Sequence, residues 1–123
     1  MRLMLIVTLV ILAFIPAVSA QQVDIKKGRE AILNGAVVID VRTDKEWEAG
    51  HFPAALHMQN TKLAGLISQA NLDKDTPIVL YCRSGNRATA SSQQLIDMGY
   101  TNVINAGGLK DIQDLIPLIA EQP

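Results

Sequence analysis

The segment from Ile78 to Met98 places the strongest limits on how this chain can fold. It opens with the apolar run Ile78 to Tyr81, which is typical of a buried strand in a parallel sheet. The sequence turns polar at Cys82, and apolar residues then recur at helical spacing from Arg87 to Met98. The segment therefore predicts a strand, a polar loop and a helix in succession. Cys82 falls at the carboxyl end of the strand.

Apolar runs and helical segments alternate along the rest of the chain as well. The apolar runs predict four short strands, near Val37–Val41, Leu56–Met58, Ile78–Tyr81 and Val103–Asn105. Spacing and capping residues predict further helices over 23–34, with Asp24 as the N-cap, and over 43–49, 60–70 and 109–119, the last one ended or bent by Pro117. Thr43 and Glu46 occupy the positions of a capping box at the start of the helix over 43–49. Such alternation favours a parallel sheet with helices on both faces. We expect an α/β fold, a three-layer α/β/α domain with a small parallel sheet whose strand order the sequence leaves open.

The first 20 residues differ in character from the rest. Arg2 precedes an apolar run from Leu3 to Ile15, and Val18-Ser19-Ala20 supplies the small residues of a cleavage site. This pattern is typical of a secretory signal peptide, because the run is short for a membrane span and no basic stop signal follows it. We expect cleavage after Ala20 and export, with a retained membrane anchor as the alternative.

Charge and composition argue against some classes of function. The chain has 123 residues and a formal net charge of −1, which gives no support for binding nucleic acid or an anionic membrane. No residues occur at metal-ligand spacing, so we expect no metal and no other cofactor. The single cysteine, Cys82, cannot form an internal disulfide.

The loop after the central strand favours a thiolate at Cys82. Backbone N–H groups can surround the sulfur as an anion-binding nest, and the following helix adds the positive end of its dipole. Arg83 and Arg87 add two permanent cations. The alternative is an inert cysteine at the end of a core strand, but two arginines and a glycine are poor core residues. We expect a reactive thiol that is partly open to solvent.

Three motifs, in this order along the chain, resemble those of the single-domain rhodaneses, which are thiosulfate sulfurtransferases. The segment 39–55 contains Ile-Asp-Val-Arg, Glu-Trp and Gly-His-Phe-Pro-Ala-Ala and is similar to their amino-terminal signature. The run Cys-Arg-Ser-Gly-Asn-Arg at 82–87 resembles their active-site loop. The run Asn-Ala-Gly-Gly-Leu-Lys-Asp-Ile at 105–112 resembles the ending of the periplasmic phage shock protein E type.

The resemblance implies a rhodanese-like domain over residues 21–123, a periplasmic protein and a reaction in two halves. The Cys82 thiolate attacks the outer sulfur of thiosulfate, sulfite leaves, and the persulfide passes its sulfur to cyanide or a thiol. We therefore expect a small-molecule sulfur donor and a thiophilic acceptor as partners of a monomer. The residues expected to bind the donor are Arg83, Ser84, Gly85, Asn86 and Arg87.

Two other classes of function are alternatives. Cysteine-dependent phosphatases and arsenate reductases also place an anion-binding loop and an arginine after a cysteine, commonly with five residues between them. Here only Arg83 to Asn86 intervene, so we expect a cradle too small for phosphate. The other alternative is a non-catalytic rhodanese-like binding module, although such modules usually lack the cysteine.

Five side chains outside the loop could suggest a site, and we interpret them as structural. His51 and His57 could act as bases, but a histidine in a turn is more often a hydrogen-bonding strut. Asp40 and Arg42 follow a strand, where ligands collect in parallel sheets, yet an ion pair that holds the next turn accounts for both. We expect Trp47 to be an anchor in the core.

Overall fold

The computed structural model describes residues 8–10 and 22–121 of the chain, so most of the predicted signal peptide lies outside the described residues. In chain order the helices and strands are α1 (Ile25–Leu33), β1 (Val37–Asp40), α2 (Asp44–Glu48), β2 (Leu56–His57), α3 (Leu63–Ala70), β3 (Ile78–Cys82), α4 (Asn86–Asp97), β4 (Val103–Gly108) and α5 (Ile116–Ala120). Two 3₁₀ turns, Leu109–Asp111 and Gln113–Leu115, separate β4 from α5. In these described ranges no helix is long and apolar enough to cross a membrane.

The four strands form one parallel sheet in the order β2-β1-β3-β4. Parallel strands need long crossover connections, and the intervening helices supply them. β3 lies between two partners and all five of its residues are buried, as its continuous apolar run predicts. The parallel α/β prediction is confirmed, and the structure adds the strand order.

Alternate residues of β3 face two separate cores, since successive side chains of a strand point to opposite faces. Ile78, Leu80 and Cys82 belong to a buried cluster that includes residues of α3 and α4. Val79 and Tyr81 belong to a second cluster, which includes residues of α1 and of the 3₁₀ turns. The sheet is therefore the middle of three layers, as predicted.

The C-terminal region departs from the prediction. A single helix over 109–119 is wrong, because two 3₁₀ turns precede the short α5. Pro117 lies in the first turn of α5, where its missing N–H is not needed, and so it begins the helix instead of ending it. β4 runs beyond its predicted end at Asn105, since Gly108 still pairs with Cys82 in the sheet.

Trp47 is half-buried, so its prediction as a core anchor is wrong. The five-residue α2 buries none of its residues, and the indole instead stacks on two imidazole rings, with centroids 3.5 Å from His51 and 4.7 Å from His57. His51 Nδ1 lies 3.0 Å from the Trp47 carbonyl oxygen, and His57 Nε2 lies 2.8 Å from that of Arg42. These contacts agree with the interpretation of both histidines as struts.

A buried carboxylate joins β1, β3 and the turn that precedes β2. Asp40 is fully buried and accepts hydrogen bonds from the Arg42 guanidinium, at 2.7 to 3.0 Å, and from the Tyr81 hydroxyl at 2.7 Å. Arg42 also donates to the Gly50 carbonyl oxygen at 2.7 Å, and the Phe52 N–H donates to the Tyr81 hydroxyl at 2.9 Å. Burial and the neighbouring carboxylate raise the pKa of Tyr81, which keeps its hydroxyl protonated. Asp40 and Arg42 thus form the ion pair that holds the next turn.

We expect Tyr81→Phe to lower the free energy of unfolding by about 1–3 kcal/mol, because it leaves the buried Phe52 N–H unpaired and removes a donor from Asp40. Urea unfolding followed by circular dichroism measures the change. Tyr100→Phe is the matched control, since Tyr100 is also buried and its hydroxyl makes no hydrogen bond in the described part of the chain. Equal effects of the two substitutions would contradict a special role of the Tyr81 hydroxyl.

Candidate active site

Cys82 closes β3, and the loop after it leads directly into α4, as predicted. The backbone N–H of Gly85 donates to Cys82 Sγ at 2.9 Å, and this donor stabilises negative charge on the sulfur. Gly85 has a φ of 98°, a conformation that glycine adopts without a steric cost. The Sγ atom therefore faces a backbone donor at the entry to a twelve-residue helix, where the helix dipole also favours an anion.

The prediction that the thiol is partly open to solvent is wrong, because Cys82 is 0% exposed. The Gly85 amide lies on one side of the sulfur, and Gly108 is the neighbour of Cys82 in the sheet. Sγ also belongs to the core cluster shared with Ala88 of α4. The sulfur therefore has no exposed surface at which a reagent could meet it directly.

The residues that follow Cys82 in the predicted loop site differ in their exposure to solvent. Arg83, Ser84 and Asn86 are exposed, whereas Gly85 is buried. Within the described residues, Arg83 has no carboxylate partner. Its guanidinium is therefore available to an anion, and its role in binding the donor stays a prediction.

Asn105 fastens the loop to β4. Its side chain is fully buried, and Nδ2 donates to the Gly85 carbonyl oxygen at 3.2 Å and to Thr89 Oγ1 at 3.0 Å. Its Oδ1 accepts from the Gly107 N–H at 3.0 Å. In the sequence Asn105 was visible only as part of a motif and as the end of a predicted strand. A polar residue between apolar neighbours of a strand was the signal that could have identified it.

The start of the described domain lies against the same loop. Val23 pairs with Asn105 as an isolated parallel bridge, and the Asp24 N–H donates to the Asn105 carbonyl oxygen at 2.8 Å. A Cβ added to Gly85 would lie 2.8 Å from Val23 Cγ2, and one added to Gly107 would lie 3.3 Å from Val23 Cγ1. Glycine at these two positions lets the N-terminal segment pack onto the loop.

An open cleft of about 590 Å³ adjoins the loop, and it is lined by Arg42, Arg83, Ser84, Leu109, Lys110 and Gln113. A second cleft of about 430 Å³ shares four of these residues and continues past Glu46 to Gly50. The contribution of the first 3₁₀ turn was not predictable from the sequence, because it depends on the pairing of Gly108 with Cys82. In the described ranges there is no group of three or more His, Cys, Asp or Glu that could hold a metal ion.

Arg87, the second cation of the predicted loop site, is paired with Glu46 of α2. The two side chains form a bidentate ion pair with N–O distances of 2.6 and 2.9 Å. Glu46 also completes a capping box, because its carboxylate accepts from Thr43 while Thr43 Oγ1 accepts from the Glu46 N–H at 3.3 Å. The capping box is confirmed. The ion pair, between residues 41 positions apart, was not visible in the sequence.

The Arg87 guanidinium holds the pKa of Glu46 at about 2, below its ordinary value of 4.5. Because the pKa is lowered in the folded state, the ionised pair stabilises the fold above pH 4.5. That stabilisation is lost as the pH falls from 4.5 towards 2.

We expect Glu46→Gln to lower Tm at neutral pH and to reduce the further loss of Tm between about pH 5 and about pH 2.5, because the variant has no carboxylate left to protonate. Thermal unfolding by circular dichroism over that range measures both effects. Glu48→Gln, an exposed position on the same helix, is the control and should follow the wild type. Parallel curves for wild type and Glu46→Gln would contradict the assignment.

Comparison with known proteins identifies relatives of this chain. The thiosulfate sulfurtransferase GlpE of Pseudomonas syringae pv. syringae (strain B728a) is 35% identical over 74 residues, which cover 60% of this chain and 68% of the relative. The thiosulfate sulfurtransferase PspE of Escherichia coli (strain K12) is 36% identical over 74 residues, which cover 60% of this chain and 71% of the relative.

A solved structure described as a rhodanese with anions from E. coli superposes with a TM-score of 0.60 at 35% identity. The match covers 63% of this chain and 92% of that one. The family model for the rhodanese-like domain matches residues 21–115, which include every strand of the sheet and the loop after Cys82. The chain belongs to the rhodanese-like family.

Proposed function

We propose that this protein is a sulfurtransferase that moves the sulfane sulfur of thiosulfate, or of a related donor, through a persulfide on Cys82. The acceptor is cyanide or a thiol. The observation that carries the proposal is the Gly85 N–H on Cys82 Sγ, in a loop whose Arg83 has no carboxylate partner among the described residues. Membership of the family and the names of the relatives support sulfur transfer as the general activity.

In the first half-reaction the Cys82 thiolate attacks the outer sulfur of thiosulfate. A bond forms from Sγ to that sulfur, the S–S bond of thiosulfate breaks, and its electron pair leaves with sulfite. Arg83 holds the negative charge of the donor and of the departing sulfite through charge-assisted hydrogen bonds. The exposed Ser84 and Asn86 complete the rim of this donor site.

In the second half-reaction cyanide or a thiolate attacks the outer sulfur of the persulfide. The S–S bond to Cys82 breaks and its electron pair returns to Sγ, where the Gly85 N–H stabilises the charge. Thiocyanate is the product with cyanide, and a hydropersulfide is the product with a thiol. The resting thiolate is restored for the next donor.

We assign Arg87 a positioning role within this mechanism. Both terminal nitrogens of its guanidinium are held by Glu46, so direct binding of the donor falls to Arg83. The ion pair fixes the first turn of α4 to α2, and with it the loop that carries the donor site. Arg87 thus supports the geometry around Cys82 and adds positive charge nearby.

We also propose that residues 1–20 are a signal peptide removed on export to the periplasm. The described domain is attached from Val23 onward, so cleavage after Ala20 leaves its contacts with Asn105 intact. The intact mass of the protein in a periplasmic extract should correspond to a chain that begins at Gln21. A full-length mass found only in the membrane fraction would favour the anchor instead.

We expect the protein to gain the mass of one sulfur atom when it is incubated with thiosulfate, and cyanide should remove that mass. The measurement is intact-mass spectrometry under non-reducing conditions. Cys82→Ser should gain no sulfur. Arg83→Gln should gain it more slowly than the wild type, and Arg83→Lys should recover part of the loading rate, since lysine keeps the charge without the planar fork of the guanidinium. An unchanged mass for the wild type would refute the sulfurtransferase proposal.

We expect negligible hydrolysis of aryl phosphates, because only four residues separate Cys82 from Arg87 and the cradle is too small for a phosphoryl group. An insertion of one glycine after Gly85 should weaken sulfur transfer, because it lengthens the link between Gly85 and α4 and so disturbs the loop that holds the Gly85 N–H on Sγ. Release of p-nitrophenol from p-nitrophenyl phosphate measures the first expectation. Robust turnover by the wild type would favour the phosphatase alternative.

A further inference from the structure

The cleft of about 590 Å³ beside the loop contains two exposed cations, Arg83 and Lys110. Neither has a carboxylate partner within the described residues. The third cation of the cleft, Arg42, is buried and neutralised by Asp40 at 2.7 Å. The carboxylate of the adjoining cleft, Glu46, is likewise neutralised, by its ion pair with Arg87. The cleft therefore has an excess of positive charge that faces solvent.

Asp111 follows Lys110 in the chain, and its carboxylate is directed to the backbone. Its Oδ2 accepts from the Gly108 N–H at 2.8 Å as the cap of the first 3₁₀ turn. A Cβ added to Gly107 would lie 2.7 Å from the same oxygen, so the carboxylate lies over the glycine turn. It does not line either cleft. Asp111 thus stabilises the turn that contains Lys110. Because its carboxylate binds the backbone, it does not pair with the Lys110 ammonium group.

The register of the sheet brings Lys110 beside the loop. Gly108 pairs with Cys82, and Gly108 lies so close to Arg83 that an added Cβ would collide with the Arg83 carbonyl oxygen. The chain therefore leaves β3 and β4 at neighbouring points, from β3 into the loop after Cys82 and from β4 into the first 3₁₀ turn. Lys110 follows Gly108 by two residues and lines the same cleft as Arg83.

The cleft is larger than thiosulfate or cyanide requires. Its volume of about 590 Å³ falls in the range of sites for organic small molecules. Leu109 supplies an apolar wall and Gln113 an amide, so the lining also suits a ligand with a short carbon chain. Cys82 does not line the cleft, but Arg83 and Ser84, which directly follow it in the chain, do, so a thiol bound there would lie beside the loop that holds the sulfur.

We propose that Arg83 and Lys110 form an acceptor subsite that selects small thiols bearing a carboxylate over neutral or cationic thiols. This inference rests on the proposed function, because an acceptor presupposes a persulfide on Cys82. The acceptor thiolate bonds to the outer sulfur of the protonated persulfide, and the S–S bond to Cys82 breaks. Its electron pair goes to Sγ, and the outer sulfur leaves with its proton as the hydropersulfide of the acceptor. The carboxylate meanwhile pairs with Lys110.

The test separates the two half-reactions. The protein is first loaded with thiosulfate, freed of excess donor and checked for its added sulfur by intact mass. It is then mixed with 3-mercaptopropionate, 2-mercaptoethanol or cysteamine, which are anionic, neutral and cationic thiols of similar size. Loss of the persulfide is followed by rapid quench and intact mass, at equal concentrations of thiolate. We expect the rates to fall in the order anionic, neutral, cationic.

Variants of Lys110 test the assignment of the charge. Lys110→Gln should slow transfer to 3-mercaptopropionate about 2- to 5-fold, the size of effect expected of an exposed charge pair, and leave transfer to 2-mercaptoethanol unchanged. Lys110→Glu should abolish the preference for the anionic thiol over the cationic one, because one cation and one carboxylate then face the ligand. Lys74→Gln is the control, because it removes the same charge from the exposed loop before β3, at the amino ends of the strands, where the ammonium group lies over the Tyr100 ring and does not line the cleft.

The possible outcomes are distinct. If the protein loads sulfur but the three thiols react equally, the acceptor subsite is refuted and the sulfurtransferase proposal stands. If Lys110→Gln slows loading by thiosulfate and leaves the preference among the three thiols intact, Lys110 binds the donor and not the acceptor, and the inference is wrong. If a reduced protein dithiol reacts faster than 3-mercaptopropionate and is insensitive to Lys110→Gln, the acceptor is a protein, which also refutes it. Absence of loading refutes both proposals.

Discussion

The buried carboxylate of Asp40 is the interaction on which the arrangement of the strand ends depends. Burying a charge costs several kcal/mol of folding free energy unless the charge is fully paired. Arg42 and Tyr81 therefore have little freedom to move away from the buried Asp40 carboxylate. Through them the turn at Gly50 and Phe52 is fixed as well. Tyr81 directly precedes Cys82, and its side chain is tied to β1 on one face while Cys82 packs on the other. The position of the sulfur thus depends on the buried ion pair between Asp40 and Arg42.

Local spacing determined which features were predictable from the sequence. The strand, loop and helix around Cys82 and the capping box of Thr43 and Glu46 each depend on residues a few positions apart, and all were predicted. The strand order, the ion pair of Arg87 and the bonds of Asn105 depend on residues distant in sequence, which periodicity does not report. The predicted C-terminal helix failed because its apolar residues also suit 3₁₀ turns that pack on the sheet.

The two arginines of the loop show why residue type alone does not define a role. They lie four positions apart and looked equivalent in the sequence, yet Arg87 is bound by a carboxylate of α2 and Arg83 is exposed. The available positive charge therefore lies on the side of Arg83 and Lys110, whereas Glu46 of α2 neutralises Arg87. An anion would therefore approach the sulfur from the side of Arg83 and Lys110.

The burial of Cys82 bears on how the protein withstands oxidative damage. Oxidation of a thiol to its sulfenic and sulfinic acids follows thiolate character and exposure, and Cys82 has no exposed surface. In the proposed cycle a persulfide extends about 2 Å beyond Sγ, so the outer sulfur is the first atom that an oxidant meets. That sulfur is replaced at every turnover, whereas the chain has a single cysteine that it cannot replace. In the persulfide form, an oxidant would thus react with the replaceable outer sulfur before it reaches the Sγ atom of Cys82.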